Sequence, residues 1–348
     1  MKKEGSQQHS IHDLAKKLHL SPATISRVLN NHPHVHTETR RKVMAMVEKL
    51  GYKRNAMASG LRSNKTNTVG LIVPRISMFF HAEIITTIQN GLHGYGYNLI
   101  ICQSNDSLEM EKELIRTLYA SRVDAVIVAC TLFTTDFGHF DLLTGNNIPV
   151  VFYDRVPVQP YPACIIKGDD VNGGYLAGMH LLELGCRRIA CISGPLNCNL
   201  YIDRLAGFQK AMQQYDVPLS EGQLFYHELS AENARRTMHR LFAEKPYPDG
   251  IFAANDVSAL EALQFVKEMG VRVPDELKIV GYSNDPRSSI ISPSMTTIEQ
   301  FPAGIGKVIV TELVRMLKAD KARTAGAVAG FPQIITPVEL IKRRSTCG

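Results

Sequence analysis

Apolar residues recur every three or four positions in the first fifth of the chain, the spacing of one helix face. The segment IHDLAKKL (residues 11–18) places four apolar side chains in one stripe and leaves two lysines outside it. A second short helix is predicted from Pro22, because Ser21 is a preferred N-cap residue and proline suits the first helical position. A third helix is predicted from Thr37–Glu38, with an end at Gly51.

The pattern changes after Val69 to short apolar runs that alternate with helical segments. One series contains the runs VGLIV, NLIIC, DAVIVA and PVVFY, and a second contains ACIIK, RIACIS, GIFAAN and LKIVGYS. Helices are predicted to begin at Ala82, Leu108, Asn172, Asp203 and Val257. Such alternation predicts parallel, doubly wound sheets with helices on both faces, and two series of similar size predict two α/β lobes.

Composition indicates an ordinary globular protein of more than one domain. The 348 residues are 45% hydrophobic and 21% charged, and no apolar run approaches the roughly 20 residues that span a bilayer. The start, MKKEGSQQHS, has no apolar stretch behind its basic residues, so no secretory signal is expected. Seven scattered cysteines without a CxxC spacing favour free thiols in the cytoplasm. No HExxH motif is present, so neither a metal nor another cofactor is expected.

Charge is distributed very unevenly along the chain. Residues 1–66 hold 13 Lys and Arg against 4 Asp and Glu, a net charge of +9, whereas the remainder carries −3. A compact basic segment with helical periodicity, attached to a mildly acidic body, is typical of a module that binds a polyanion.

The first two predicted helices are joined by only three residues and supported by the third, which is a helix-turn-helix arrangement. In such a unit the second helix lies in the major groove. Ala23 and Thr24 at its start allow close approach, and Arg27 reaches guanine edges or, in the alternative, a phosphate or solvent. The candidates for contacts to the DNA backbone are Ser21, Thr24, Ser26, Asn30 and Thr39.

The segment YKRNAMASGLRSNKTN (residues 52–67) has two interpretations. It is either an ordinary interdomain linker, or a segment that becomes helical on DNA and inserts Leu61 between base steps in the minor groove.

Several motifs closely resemble the lactose-repressor/galactose-repressor family of bacterial transcription regulators. They include SPATISRVLNNHPHVHTETRRKV near the start, then GPLNCNLYIDRLAGF, IFAANDVSALEAL, VRVPDELKIVGYSND and SPSMTTIEQ. The resemblance covers nearly the whole chain, in order. It implies a homodimer whose paired hinge helices, each with Asn55, Ala58 and Leu61, bind the minor groove. Two of the family's base-reading positions fall on Pro22 and Ala23 and the third on Arg27, so Arg27 is expected to carry more of the readout.

The resemblance also implies the domain organisation. A helix-turn-helix domain is expected over residues 1–52, a hinge over 53–66, and an effector-binding and dimerisation domain over 67–348. The latter resembles the periplasmic sugar-binding fold. Its first lobe is expected over about 67–166 and 300–330, its second over about 167–299 and 331–348, with three crossovers between them.

Polar and aromatic groups follow the predicted strands, where ligands of open α/β sheets bind. Taken singly, most suit a capping role, and Asp203 is interpreted as a helix N-cap. Together they suit a polyhydroxylated ligand whose ring packs on an aromatic side chain. The candidate effector-binding residues are Phe80, His81, Asp154, Arg204, Asn255, Ser283 and Asp285.

One position departs from the family pattern. Most members carry an aspartate directly after the GY or GF pair of this loop, whereas this chain has Ser283. Either Asp285 reaches in from a shifted loop, or the site has one carboxylate fewer. The second alternative, with Arg204 retained, would favour a sugar acid or sugar phosphate over a neutral sugar.

These observations predict a cytoplasmic, homodimeric transcription regulator and favour a repressor. It is expected to bind a pseudo-palindromic operator under the control of a carbohydrate-type effector. Phosphate-binding and dinucleotide-binding glycine motifs are absent, and GYSND has Asp285 where a nucleophile elbow requires glycine. A sugar-modifying enzyme and a transport-type sugar-binding protein, each with an accessory DNA-binding head, are the alternatives.

Overall fold

The structure is a computed structural model of the chain, and it describes residues 10–29, 32–52, 65–319 and 331–347. The chain forms two compact units, Met1–Thr66 and Asn67–Gly348. None of the helices within the described ranges combines the length and the apolar character that crossing a bilayer requires.

The first unit contains the three predicted helices, α1 (Ile11–Leu18), α2 (Pro22–Leu29) and α3 (Thr37–Lys49). Ser10 caps α1, since its Oγ accepts from the Asp13 backbone N–H at 3.2 Å while Asp13 accepts from the Ser10 N–H at 2.8 Å. Ser21 caps α2 as predicted, with Oγ 3.1 Å from the Thr24 backbone nitrogen. The helices share a core of Leu14, Ala15, Ile25, Val28 and Val43.

The second unit alternates strands and helices throughout. In chain order its elements are β1 (Thr68–Val73), α4 (Phe79–Gly94), β2 (Asn98–Gln103), α5 (Leu108–Ala120), β3 (Ala125–Val128), α6 (Asp141–Thr144), β4 (Val150–Tyr153), β5 (Cys164–Gly168), α7 (Asp170–Glu183), β6 (Ile189–Ser193), α8 (Asn199–Gln214), β7 (Leu224–Tyr226), α9 (Ala231–Leu241), β8 (Gly250–Ala253), α10 (Asp256–Glu268), β9 (Lys278–Tyr282), α11 (Arg287–Ile290), β10 (Thr296–Glu299), α12 (Pro302–Ala319), β11 (Gln333–Thr336) and β12 (Glu339–Ile341).

The strands form two six-stranded sheets, one in each lobe. The first has the order β11-β5-β4-β3-β1-β2 and the second the order β12-β10-β9-β8-β6-β7. Every pairing is parallel except that of β10 with β12. Most strands are buried on both faces, which explains their continuous apolar runs. The predicted α/β class with doubly wound parallel sheets is confirmed.

The chain passes between the two sheets three times, after β5, after β10 and after β11. The predicted lobe boundary near the C-terminus is wrong in one respect. Strand β11 pairs in parallel with β5, with Gln333 opposite Ile165, so it belongs to the first lobe and not to the second. Strand β5 would otherwise be the edge of the first sheet, and its unpaired backbone groups bind β11. The chain joins the second sheet only with the next strand, β12.

Several helices begin earlier than predicted. Helix α4 begins at Phe79 and not at Ala82, and α8 begins at Asn199 with Cys198 at its N-cap. The interpretation of Asp203 as an N-cap is therefore wrong. The extra first turn of α8 buries Leu200 and Tyr201, and this burial favours the longer helix over the one that the capping signal alone predicts.

Candidate functional site

In the first unit, α2 presents one exposed face. Ile25 and Val28 are buried in the core, whereas Ala23 and Arg27, four residues apart, are exposed on the opposite face. Pro22, Thr24 and Ser26 are half-buried and Ser21 is exposed. The side chain of Arg27 is therefore accessible on the exposed face of α2. The predicted DNA-contacting residues Asn30, Asn55, Ala58 and Leu61 lie outside the described residues.

The second unit brings buried charges from both lobes together. Arg204 on α8 donates through Nε to Asp170 Oδ1 at 2.8 Å and through Nη1 to the Ala254 carbonyl at 2.7 Å. Its guanidinium carbon lies 3.6 Å from the ring centroid of Tyr282, whose hydroxyl also donates to Asp170 Oδ1. These three contacts fix the orientation of the guanidinium, and Asp170 neutralises its charge.

Close packing of α7 against α8 makes this geometry possible. A Cβ atom at Gly174 would lie 1.9 Å from the Arg204 carbonyl oxygen, and one at Gly207 would lie 1.8 Å from the Val171 carbonyl oxygen. The glycines therefore permit the two helix backbones to touch beside the Arg204–Asp170 pair.

The substitution Gly174→Ala is expected to separate α7 from α8 and to destabilise the protein by about 3 kcal/mol, because a backbone oxygen cannot rotate away from the added methyl group. Thermal denaturation should show a Tm lower by roughly 5–10 °C. Gly94→Ala, at the end of α4 where a Cβ would meet nothing within 4 Å, is the control and should leave the Tm unchanged or slightly higher. Equal Tm values for the two variants would contradict this account of the helix contact.

Asp154, at the end of β4 in the first lobe, lies close to this pair. Burial raises the pKa of its carboxyl group to about 6, and the nearby carboxylate of Asp170 adds to the rise while Arg155 and Arg204 oppose it. Its backbone is left-handed, with φ 60°. The charges of Arg204 and Asp170 in the second lobe thus act on a carboxyl group of the first lobe, whose backbone carbonyl accepts from Asn199 of α8 at 2.9 Å. The two lobes therefore meet at this cluster.

Arg155 is a member of the cluster that the sequence analysis missed. Its side chain is buried and forms an ion pair with Asp106, which also accepts from the Leu132 N–H at 3.2 Å. The Nε of Arg155 is buried without a hydrogen-bond partner in the described part of the chain. A ligand oxygen that accepts a hydrogen bond from this buried donor would bind favourably, because the donor otherwise lacks a partner. Its position directly after the candidate residue Asp154 is the sequence feature that could have indicated a role at this site.

Backbone and side-chain contacts hold the lobes together around the cluster. Asn199 of α8 accepts from the Val156 N–H at 2.8 Å and donates to the Asp154 carbonyl at 2.9 Å. Lys167 of β5 forms an ion pair with Asp203 at 2.6 Å. Asp203 thus joins the lobes instead of capping a helix.

His81 and Phe80 lie at the start of α4, and the structure gives them different surroundings. His81 Nδ1 lies 3.1 Å from the Tyr153 hydroxyl, and burial, assisted by the positive charge of Arg155, lowers its pKa to about 3. The imidazole is therefore neutral. Phe80 is buried in the apolar core of the first lobe, while Phe79, which the sequence analysis did not single out, is 38% exposed.

Of the remaining predicted effector residues, Asn255 and Asp285 already have side-chain partners. Asn255 caps α10 through the Ser258 N–H and donates to the Leu229 carbonyl. Both carboxylate oxygens of Asp285 accept from Arg287, at 2.8 and 2.7 Å, and this ion pair lowers the pKa of Asp285. Ser283 is half-buried with φ 106°. The structure therefore brings Asp154 and Arg204 together, whereas Asn255 and Asp285 are engaged within the second lobe.

Family models match both units. Residues 10–55 match the model described as bacterial regulatory proteins, lacI family, and residues 179–346 match a periplasmic binding protein-like domain. The repressor PurR of Aliivibrio salmonicida is 30% identical over 327 residues, which cover 94% of this chain and 97% of that protein. That protein is an HTH-type transcriptional repressor.

Solved structures agree with this match, one of them over nearly the whole chain. The Lac repressor dimer bound to operator and the anti-inducer ONPF superposes with a TM-score of 0.85 and 26% identity, covering 98% of this chain and 100% of that one. A LacI transcriptional regulator from Alkaliphilus metalliredigens, solved with D-xylulofuranose, gives a TM-score of 0.68 and 27% identity over 81% of this chain and 100% of that one.

Proposed function

Because this chain belongs to the lacI family of bacterial regulatory proteins, we propose that it is a homodimeric, cytoplasmic repressor of transcription controlled by a neutral sugar. The family assignment makes it a DNA-binding regulator and not an enzyme. In the proposed mechanism, two helix-turn-helix units bind the half-sites of a pseudo-palindromic operator, and a ligand between the lobes changes their affinity for it.

The observation that supports the proposal is the electrostatic coupling of Asp154 to Arg204, together with the hydrogen bond from Asn199 of α8 to the Asp154 carbonyl at 2.9 Å. The first residue belongs to the first lobe and the second to α8 of the second lobe. A ligand that contacts both would bind one arrangement of the lobes more tightly than any other. That differential affinity is what a ligand requires to shift a conformational equilibrium.

The charge balance of the cluster supports a neutral effector. Asp106 neutralises Arg155 and Asp170 neutralises Arg204, while His81 is uncharged. Asp154 then supplies the remaining charge, which is negative above about pH 6. A carboxylate or phosphate on the ligand would add a like charge in a buried place, at a cost in binding free energy.

The donors and acceptors of the cluster suit adjacent hydroxyl groups. Asp154 can accept from one hydroxyl, and the unpartnered Nε of Arg155 can donate to the oxygen of another. The neutral sugar seen in the Alkaliphilus regulator has this chemistry. Of the ligand classes expected from the sequence, we therefore propose the neutral sugar over the sugar acid and the sugar phosphate.

The substitution Asp154→Asn is expected to stabilise the unliganded protein at pH 8 and to weaken effector binding. Because folding raises the pKa of this carboxyl group from 3.8 to about 6, its ionisation disfavours the folded state above pH 6 and has no effect below about pH 4. The variant should be more stable by about 3 kcal/mol at pH 8 and equally stable at pH 4. Denaturant unfolding of both proteins across this pH range measures the difference, and a difference independent of pH would contradict the assigned pKa.

A panel of sugars tests the proposed effector class. Full-length protein is heated with neutral pentoses, hexoses and disaccharides, with the matching uronic acids, and with the sugar phosphates. At one hundred times its Kd, a bound sugar adds about 2.7 kcal/mol of stability. We expect at least one neutral sugar to raise the Tm by roughly 5–10 °C and its acid to raise it less. A rise with acids or phosphates alone would overturn the neutral-effector proposal.

A further inference from the structure

A cavity of about 590 Å³ lies in the second unit. Its walls come from two loops of the first lobe, residues 134–138 and 157–161, from Asp141, and from Asn197 and Ile202 of the second lobe. No residue that lines it belongs to the cluster around Asp154 and Arg204. Its volume lies within the range of about 300–1,000 Å³ that is usual for small-molecule sites.

Part of the cavity lining is apolar, and its aromatic rings pack against one another and against the core. Phe137 and Tyr161 place their ring centroids 6.4 Å apart, and Phe137 also packs edge-on against the buried Phe152. Pro157 and Ile202 add aliphatic surface, and Ile202 is 37% exposed. Rings held against the core in this way form a surface on which a planar ligand packs without reorganising the protein.

The charged side chains that line the cavity are all negative. Asp136 and Asp141 are both exposed carboxylates, and the lining contains no lysine, arginine or histidine. The Gly138 N–H donates to Asp136 Oδ1 at 2.9 Å and the Tyr161 hydroxyl to Asp141 Oδ1 at 2.6 Å. Within the described residues, no hydrogen bond reaches the Oδ2 atom of either carboxylate. An ammonium group supplies the charge and the donors that these two oxygens accept.

We propose that this cavity binds a second ligand, a small organic cation that carries an aromatic ring, of the arylalkylamine class. The ring lies on Phe137 and Tyr161, and the ammonium group lies between Asp136 and Asp141. The site is joined to both lobes, since Asn197 at its wall donates to the Leu132 carbonyl at 3.0 Å across the lobe boundary. An occupant therefore adds contacts between the lobes, independently of the sugar.

Calorimetry on the full-length protein with 2-phenylethylamine as the probe tests the proposal. The neutral isostere 2-phenylethanol is titrated in parallel, without sugar or DNA. We expect the amine to bind at least tenfold more tightly than the alcohol. Asp136→Asn should remove most of that preference, and Ile202→Trp, which fills the cavity, should abolish binding of both probes. Asp216→Asn, an exposed carboxylate elsewhere in the second lobe, should change nothing.

Equal affinities for the amine and the alcohol would overturn the proposal, as would full binding by the Ile202→Trp variant. Both substitutions lie at exposed positions, and an unchanged Tm in each variant shows that the fold is intact. Because the titration needs neither the sugar nor the operator, its failure leaves the proposed repressor function standing.

Discussion

Replacing Arg204 with alanine is expected to abolish the response of the protein to its effector and to lower its stability. The variant leaves Asp170 as a buried carboxylate without its cation and the Ala254 carbonyl without its donor. Breaking a buried ion pair from one side costs about 3–5 kcal/mol. The sugar identified by the thermal panel should no longer bind at concentrations that saturate the wild type, as calorimetry would show.

Two further variants separate binding from folding. Arg204→Lys keeps the positive charge beside Asp170 but loses the guanidinium fork, so the protein should fold and bind the sugar at least tenfold more weakly. Lys210→Ala removes an exposed cation from the same helix and should bind the sugar normally. Wild-type sugar affinity in Arg204→Lys would show that the fork takes no part in binding.

Replacing Arg27 with alanine is expected to weaken operator binding by about 10- to 100-fold and to relax the base preference at one position of each half-site. A bidentate contact from arginine to guanine is worth about 1–3 kcal/mol of discrimination. The half-buried Pro22 and the exposed Ala23 lack side-chain donors, so neither can replace this readout. A binding-site selection with both proteins, followed by titration of the selected duplex, measures both effects.

The matched control is Lys49→Ala, which removes the same charge from the exposed surface of α3. It should leave the base preference intact and at most reduce the salt dependence of binding. If Arg27→Ala weakened binding to all sequences equally, as a lost phosphate contact does, the role of Arg27 in base readout would be wrong.

The elements of both units could be predicted from local pattern. The stripe in residues 11–18 and the Ser21-Pro22 cap predicted α1 and α2 with their observed starts, because capping and helical periodicity are local properties. The alternation of apolar runs and helices predicted two parallel sheets for the same reason. Strand β11 was misassigned, since a four-residue strand joins whichever sheet has a free edge beside it, and that depends on the fold.

The candidate site was predictable only in part. Asp154 and Arg204 came from their positions after strands together with the family resemblance. Arg155 was missed because a lone arginine after a strand has no distinctive spacing, and its partner Asp106 is 49 residues away. Phe80 was chosen as a stacking residue, yet the register of α4 turns it into the core and leaves Phe79 accessible. Which of two adjacent aromatic residues is exposed depends on tertiary packing.

The loop that carries Ser283 shows a similar limit. The sequence left open whether Asp285 supplies the carboxylate that this loop usually carries. In the structure, Arg287 binds both oxygens of Asp285, so the local ion pair engages that carboxylate. This contact between residues two apart was visible in the sequence, but its competition with a ligand was not.

In the proposed mechanism, a sugar bound between the lobes sets the affinity of the N-terminal helices for duplex DNA. The most direct measurement is the Kd of the full-length protein for its selected operator, with and without a saturating concentration of the sugar that binds the Asp154–Arg204 cluster. The account predicts a change of roughly 5- to 150-fold, lost in Arg204→Lys. An operator Kd that stays the same while the sugar is demonstrably bound would contradict it.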